Sequence, residues 1–298
     1  MAQTNTVNSE YKGTLAGEVF VQAFKQADTI KKNAITVLPN NIGRGYLPTL
    51  SYDADLQAYA CGFDAEGELT YKDVEVILHK YKIDNEFCKD EFHQTFQAQA
   101  SGLFGAANEI PTSIQDAILF AIIENLGAKV EKNIWQGDGL PSGHAGLIAD
   151  LDADAGTIDV VGTAITSANV EAELAKVYAA IPDAILESPD LVISVAPNVA
   201  RAYKQAQVNM GLNTTVGDKE LDYLGIRMES LGGLTANTMV AYRVKNVGFL
   251  TGLESDLNEV RVIDHDATSG DGNIRTKVVL EMGVGYSFAE EIVLYKTA

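Results

Sequence analysis

The longest regular pattern of apolar and polar positions runs from Thr112 to Gln136 and predicts a helix. Apolar side chains recur there every three or four residues, with a second row beside them: Leu119, Ile123, Leu126, Val130 and Ile134, flanked by Ile114, Ile118 and Ile122. This spacing is typical of an amphipathic helix with a wide buried face. Thr112 and Gln115 form a capping-box pattern at its start, and Gly137 is suited to end it. At about 1.5 Å per residue the helix would span about 35 Å, which suits the backbone of a domain.

The residues before this helix predict a long β-hairpin. Tyr46–Tyr52 has an extended pattern, and the segment 63–71 (FDAEGELTY) carries turn residues. Apolar side chains then alternate with their neighbours at Val74, Val76 and Leu78. Alternation on both sides of a polar turn is typical of paired strands. The tip at 64–68 is acidic and small, so we expect a hairpin at about 46–80 that projects and serves assembly rather than folding.

Two weaker helical patterns flank the hairpin. Apolar residues keep helical spacing over the short segment from Leu15 to Phe24. After the hairpin, the segment 84–105 has Phe87, Phe92 and Phe96 at helical spacing and predicts an amphipathic helix.

The second half of the chain alternates between helical and extended patterns. It predicts helices at Val170–Ala180 and Asn198–Asn209. The predicted strands are Asp190–Ala196, Leu224–Met228, Thr238–Arg243, Val247–Thr251, a closing hairpin of Glu259–Asp264 with Ile274–Tyr286, and a last apolar run at Ile292–Tyr295. The segment shows no internal repeat.

Charge removes several classes of function from consideration. The 298 residues include 41 acidic and 22 basic ones, for a net charge of −19. Nucleic-acid-binding surfaces and attachment sites for anionic membranes both need clustered Lys and Arg, so this charge argues against both functions. A subunit with this charge that assembles in many copies must overcome self-repulsion through apolar contacts.

Cysteine use and the first residues indicate a protein made in the cytoplasm. Cys61 and Cys88 are the only cysteines, and a lone pair without a CxxC spacing fits reduced thiols better than a disulfide framework. The opening MAQTNTVNSE is polar and predicts no secretory signal. The longest apolar run is far too short for a membrane span.

Two motifs suggest ligand binding on first inspection and fail on their details. The sequence GDGLPSG at 137–143 lacks the Gly-Lys-Ser/Thr of a phosphate loop and follows a helix, so we interpret it as a turn. Asp150, Asp152 and Asp154 have the spacing of the first calcium ligands of an EF-hand, but Ala155 and Val161 stand where glycine and glutamate are required. The acidic loop with Asp264, Asp266 and Asp271 has the composition of an ordinary polar turn.

Nucleophiles and histidines form no catalytic pattern either. Ser142 lies in GLPSG, out of register with GxSxG. The histidines are scattered and predict solvated or packed side chains: His79, His93, His144 and His265. Trp135, the only tryptophan, is interpreted as a packing anchor. The sequence therefore predicts no enzyme, no catalytic residue, no cofactor and no metal ligand.

The order of these pieces resembles the HK97-type major capsid proteins of tailed bacteriophages. An N-terminal arm is followed by the hairpin with YLPTLSY in its first strand, and KDVEVILHKYKI at 72–83 leads into a segment beginning DNEFCKDEF. The long helix then ends in NIWQGDGLPSGHAGLIAD at 133–150, similar to the "GdG…P.G" segment of phage members. DLVISVAPNVARAYKQAQ at 190–207 resembles their A-domain strand and helix. The likeness covers nearly the whole chain.

The resemblance implies an α+β fold of the HK97 capsid type and a division of the chain. The implied parts are an N-arm (1–42), an E-loop hairpin (43–82), a P-domain with the spine helix (83–146), an A-domain (147–257) and a return to the P-domain (258–298). About forty residues precede the hairpin where many phage members have a cleaved scaffolding segment of about a hundred, which implies a separate scaffolding protein or none. Some members join subunits by a Lys–Asn bond. Lys72 lies near the hairpin, but no matching acceptor or catalytic glutamate is found, so no such bond is predicted.

The implied function is structural. The chain would self-assemble into hexamers and pentamers of an icosahedral shell around a double-stranded DNA genome, without sequence-specific DNA binding and without a membrane. Its implied partners are other copies, a portal, and scaffolding or decoration proteins. It would be assembled in the bacterial host cytoplasm and reside in the virion. Two alternatives stay open: an encapsulin-type compartment around cargo enzymes, and a calcium-binding or enzymatic domain that uses the acidic loops.

Overall fold

The computed structural model describes residues 9–12, 27–39, 41–53, 61, 68–88, 114–140, 143–211, 221–252, 259–264 and 273–297. Its helices are α1 (Asp28–Lys31), α2 (Ile114–Gln136), α3 (Leu147–Ala153), α4 (Val170–Ala180), α5 (Asp183–Leu186) and α6 (Pro197–Asn209). Short 3₁₀ turns lie at Val244–Asn246 and Ala289–Glu291. None of the helices in these ranges is long and apolar enough to cross a membrane.

Fourteen strands are present in the same ranges. They are β1 (Ser9–Lys12), β2 (Thr36–Leu38), β3 (Arg44–Asp53), β4 (Glu68–Ile77), β5 (His79–Cys88), β6 (Ile158–Gly162), β7 (Leu191–Val195), β8 (Leu221–Tyr223), β9 (Ile226–Ser230), β10 (Met239–Arg243), β11 (Val247–Thr251), β12 (Glu259–Asp264), β13 (Asn273–Tyr286) and β14 (Val293–Thr297).

The first large sheet is built around β13. Its order is β1-β12-β13-β11-β2, and β5 pairs with β13 along ten residues, from His79 opposite Met282 to Cys88 opposite Asn273. Successive parts of β13 pair with β12 and with β11, all antiparallel. β2 adds a parallel strand beside β11, so a segment near the start of the chain closes a sheet made from its end.

The second large sheet has the order β6-β14-β10-β7-β9-β8. All five residues of the central strand β7 are buried, as expected for a strand covered on both faces. β14 lies in the interior of this sheet, parallel to β6 and antiparallel to β10. The sheet is covered in part by α4, which contacts β6 and β14, and by α6, which contacts β9.

One hydrophobic cluster joins both sheets and the helices. Leu126, Val130 and Ile134 of α2 are at most 2% exposed, which confirms the predicted buried face for the second half of this helix; the side chains at 114–124 lie outside the described part of the structure. The helix ends at Gly137, whose φ of +75° lies in the left-handed region that favours glycine. The rings of Trp135 and Tyr242 are 6.2 Å apart and fully buried, so Trp135 is a packing anchor as predicted.

A buried carboxylate connects α2 to the segment at 27–38. Glu131 accepts hydrogen bonds from the backbone N–H and the hydroxyl of Thr29, both at 2.8 Å, and from the backbone N–H of Gly233 at 3.1 Å. Trp135 Nε1 donates to the same Thr29 hydroxyl at 2.8 Å. Burial raises the pKa of Glu131, while these hydrogen bonds partly oppose the shift. The cluster fixes the N-terminal segment on the long helix.

Most predicted elements are confirmed, with one clear correction. The helix predicted for 84–105 is wrong for residues 84–88, which continue strand β5. Residue-by-residue pairing with β13 overrides the local helical spacing, because tertiary hydrogen bonding outweighs propensity over so short a segment. The rest of that segment, Thr112 and the pattern from Leu15 to Phe24 lie outside the described residues.

Two strands from the later part of the chain pair with strands from other ranges. β11 lies in the first sheet, although it falls within the range 147–257. β14 lies in the second sheet, although it falls within 258–298. Each large sheet thus contains strands from both 147–257 and 258–298.

Candidate assembly site: the two-stranded ribbon and the cleft at its base

The predicted hairpin is a two-stranded ribbon formed by β3 and β4. The strands pair antiparallel over ten residues, from Arg44 opposite Ile77 to Asp53 opposite Glu68. The ribbon belongs to neither large sheet. An isolated pair of strands is marginally stable in water, so the ribbon needs support from elsewhere. Of the predicted tip at 64–68, Glu68 begins β4, and residues 64–67 lie outside the described part of the chain.

The base of the ribbon is anchored to the first sheet. Leu47, Val76 and Leu78 form a small buried cluster with Leu250 of β11. The ribbon lies close to β13 because Gly285 has no side chain. A Cβ at Gly285 would lie 2.4 Å from the Val76 side chain. The ribbon therefore has a fixed base, which the apolar alternation of β4 predicted only in part.

The opposite face of the ribbon carries exposed apolar side chains. Because side chains alternate between the faces of a strand, Tyr46 of β3 and Tyr71 and Ile77 of β4 share one face. They are 56%, 64% and 57% exposed, respectively. Arg44 and Glu75 lie on this face as well and form an exposed ion pair at 2.6 Å. We call this the outer face; an apolar surface of this kind is typical of a contact with another molecule.

The chain bends where the ribbon meets the body. Gly43 has a φ of +66°, and its carbonyl accepts a hydrogen bond from the backbone N–H of Leu78 at 3.0 Å. Leu78 separates β4 from β5, which belongs to the first sheet. The segment 72–83 is therefore divided between two strands in two sheets, and the bend between them lies at Leu78.

A cleft of about 950 Å³ lies between the ribbon base, α3 and the end of β13. Its walls include four carboxylates, two imidazoles and a phenol: Glu75, Asp150, Asp154, Glu290, His79, His144 and Tyr286. The phenol of Tyr286 donates to Asp154 Oδ2 at 2.9 Å. No Lys or Arg lines the cleft within the described ranges.

The glycine-rich segment after α2 forms a closed turn, as predicted. The Asp138 carboxylate accepts from the backbone N–H of Leu140 at 2.7 Å and of His144 at 3.2 Å. Burial alone would raise the pKa of Asp138, but these hydrogen bonds together with one from Tyr81 lower it. The backbone donors that a phosphate loop would offer to a ligand are therefore held by the chain's own carboxylate.

The structure separates the three carboxylates with EF-hand spacing. Asp150 lies beside His144, with Oδ2 3.7 Å from Nδ1. Asp152 forms an ion pair with Lys296, and Asp154 accepts from the backbone N–H of Gly156. Among the described residues no group of three or more His, Cys, Asp or Glu side chains could hold a metal ion. Asp266 and Asp271 lie outside those residues.

Two of the four histidines meet, which the sequence did not predict. The rings of His79 and His144 are 6.5 Å apart. Sixty-five positions separate them in the chain, and no local spacing marks the pair. Strand β5, which carries His79, and the turn after α2, which carries His144, bring them together. His93 and His265 lie outside the described ranges.

Comparison with known proteins identifies the fold. No family model and no curated protein matches the chain. A solved structure from Gordonia phage Cozz is similar over 91% of this chain and 87% of its own, with a TM-score of 0.61 and 15% identity. The capsid of a native GTA particle matches over 100% and 95%, with a TM-score of 0.63 and 11% identity. A satellite phage P4 procapsid structure matches over 94% and 98%, with a TM-score of 0.62 and 11% identity.

These similarities extend over nearly the full length of both chains, so they concern the whole architecture. The chain has the α+β fold of the HK97-type capsid proteins, and the fold predicted from the sequence is confirmed.

Proposed function

We propose that this chain is the major capsid protein of a tailed bacteriophage and self-assembles into an icosahedral shell around a double-stranded DNA genome. The observation that carries the proposal is the match to phage and gene-transfer capsid structures over more than nine tenths of the chain. The role is structural rather than enzymatic. The division into N-arm, E-loop, P-domain and A-domain is part of the proposal.

The ribbon supplies the main physical reason for assembly. Its base is fixed by Leu47, Val76 and Leu78, whereas Tyr46, Tyr71 and Ile77 of the outer face remain exposed. Burial against a neighbouring copy would stabilise each contact by about 1.5–3 kcal/mol per large apolar side chain. That gain opposes the repulsion between subunits of net charge −19. The ribbon thus has the role that the resemblance gives to an E-loop.

Other partners follow from this role and belong to the proposal. Hexamers and pentamers of this chain would build the shell, a portal would occupy one vertex, and separate scaffolding or decoration proteins would act on it. The strong negative charge suits a container that encloses DNA without binding its sequence. Assembly would take place in the host cytoplasm, and the product would be the virion capsid.

The alternative of an encapsulin-type compartment differs in contents rather than in fold. Nucleic acid in purified shells supports the capsid, and a co-purifying cargo enzyme supports the compartment. The calcium-binding alternative loses support from Asp150, Asp152 and Asp154, because each is held by a different partner within the chain.

Electron microscopy of the purified protein tests the proposal. We expect closed shells with icosahedral symmetry in the absence of added metal or nucleotide. Co-expression with the neighbouring genes provides a scaffolding protein if one is needed. Monomers alone, with and without those genes, would contradict the proposal.

We further expect the shells to contain no covalent cross-links. Shells boiled in denaturant should give a single band near 32 kDa in gel electrophoresis. Lys72 lies opposite Thr49 in the ribbon, but the sequence offers no acceptor and catalytic glutamate to complete a Lys–Asn bond. A ladder of heavier bands that disappears in Lys72→Arg would show this expectation to be wrong.

A further inference from the structure

A two-residue turn, Leu224 and Gly225, joins strands β8 and β9. Both residues have a positive φ, of +49° and +86° respectively, which is typical of the tight type I′ turns of β-hairpins. Asn, Asp and Gly adopt this left-handed region readily, whereas a bulky side chain such as leucine is strained in it. The other two non-glycine residues with a positive φ in the described ranges are asparagines, Asn33 and Asn237. An asparagine at position 224 would therefore relieve strain that the leucine maintains.

Packing within the subunit does not account for this leucine. The Leu224 side chain is 68% exposed, the largest fraction of any large apolar side chain in the described part of the chain. Tyr223 beside it is fixed by edge-to-face contacts with Tyr178 and Tyr203, with ring centroids 6.2 Å and 6.3 Å apart. The hairpin is thus held firmly, and it presents an exposed apolar side chain at its turn. Backbone strain that is kept without a gain inside the fold indicates a functional contact.

The end of α6 lies at the same end of the second sheet as this turn. β7 and β9 are parallel, and α6 follows the end of β7 directly, so α6 begins at the end of β9 that is far from the turn. Midway along α6, the Tyr203 hydroxyl donates to the Asp222 carbonyl, two residues before Leu224. The last six residues of α6, 204–209, continue for about 9 Å beyond that contact and so approach the turn.

Two more exposed apolar side chains lie at this end of the sheet. Val208 in the last turn of α6 and Met210 directly after the helix are 55% and 57% exposed. We call Val208, Met210 and Leu224 the apex patch. Exposed apolar side chains gathered at one end of a subunit are typical of a contact with another molecule.

The charges near the apex patch favour an acidic partner. The charged side chains of α6 are both exposed cations, Arg201 and Lys204, and the helix contains no carboxylate. Asp222 near the turn stands opposite Arg227 in the pairing of β8 with β9, so its charge is offset. A second copy of this chain, with a net charge of −19, is an acidic partner for such a surface.

We propose that the apex patch is a contact surface between copies of this chain, and that the strained turn holds Leu224 in place for burial against the second copy. The proposal rests on the self-assembly proposed above and adds a second contact surface to the outer face of the ribbon. One heterologous surface between identical subunits gives rings or open filaments, so a closed shell needs at least one more. The apex patch lies on the second sheet, to which the ribbon does not belong, and can supply it.

Leu224→Asn in the full-length chain tests the proposal through two effects of opposite sign. Relief of the strained turn should lower the unfolding equilibrium constant of the unassembled subunit by on the order of tenfold, as measured by urea denaturation. Loss of the leucine should raise the lowest concentration at which shells form by on the order of tenfold or more, as measured by light scattering. A residue that merely supports the fold would move stability and assembly in the same direction.

Three further variants separate the contact from the turn that carries it. Met210→Gln removes another member of the apex patch without altering the turn, so the concentration needed for assembly should rise while stability stays close to that of the parent chain. Leu224→Met keeps an apolar side chain at the turn and should restore assembly. Leu140→Asn is the matched control, because Leu140 is 59% exposed but lies outside the second sheet and α6. It should assemble like the parent chain.

Assembly of Leu224→Asn at the same concentration as the parent chain would overturn the proposal. So would a Leu224→Asn subunit less stable than the parent, or an equal loss of assembly in Leu140→Asn. The parent chain, followed in parallel, separates these outcomes from a failure of the proposed function. Shells from the parent and from Leu224→Asn alike would leave the proposed function intact and exclude the apex contact, whereas a parent chain that stays monomeric would exclude both.

Discussion

A chain carrying Tyr71→Ser and Ile77→Ser should fold as stably as the parent chain and fail to form shells. Both side chains are more than half exposed on the outer face, so their loss removes little from the subunit's own core. Burial of two such side chains is worth about 3–6 kcal/mol per contact. Since about 1.4 kcal/mol corresponds to tenfold in affinity, each contact should weaken on the order of 10²- to 10⁴-fold. Thermal melting and electron microscopy of the same preparation measure the two effects.

The conservative pair Tyr71→Phe and Ile77→Val is the matched control for this experiment. It keeps the apolar surface of the outer face and should retain shells. If the serine variant unfolds, the outer face belongs to the subunit core. If it assembles normally, the ribbon is an ordinary surface element and the account of assembly given above is wrong.

Leu126→Asp should prevent the chain from accumulating as a soluble, folded protein. Leu126 is 2% exposed within the core cluster of α2. Loss of the leucine side chain costs about 2–5 kcal/mol, and an unpaired buried carboxylate costs several more. A typical domain has only about 5–15 kcal/mol in total, so the folded state should not survive. Solubility after expression and circular dichroism measure the outcome.

Ala128→Asp provides the control in the same helix. Ala128 is exposed, so the same new charge meets water there and should change stability by less than about 1 kcal/mol. Soluble and fully folded Leu126→Asp protein would mean that the helix does not supply the core. Equal damage from both variants would indicate that charge, rather than burial, is responsible.

The sequence predicted the elements whose pattern is local. The face of α4 with Val170, Leu174 and Val177 is fully buried, as its spacing required. Likewise α2 ends at Gln136, directly before Gly137, and all five residues of β7 are buried. In each case the periodicity of a short segment carries the information about the whole element.

The sequence failed where distant segments decide the structure. Residues 84–88 have a helical spacing of their own, but β13 imposes a strand on them. No sequence pattern indicates that Glu131 is buried, because its partners Thr29 and Gly233 are about a hundred positions away. The pair of His79 and His144 likewise depends on the pairing of β5 with β13 and on the turn after α2, which no spacing rule connects.

The position of β14 inside the second sheet has a consequence for biosynthesis. β14 is the last described strand in chain order, yet it separates β6 from β10, which are made much earlier. Until residues 293–297 leave the ribosome, both neighbours present open strand edges, and the sheet cannot close. Non-local pairing of this kind also slows folding. Chains broken off before this strand should therefore be recognised as incomplete and degraded, so that only chains able to close the second sheet accumulate.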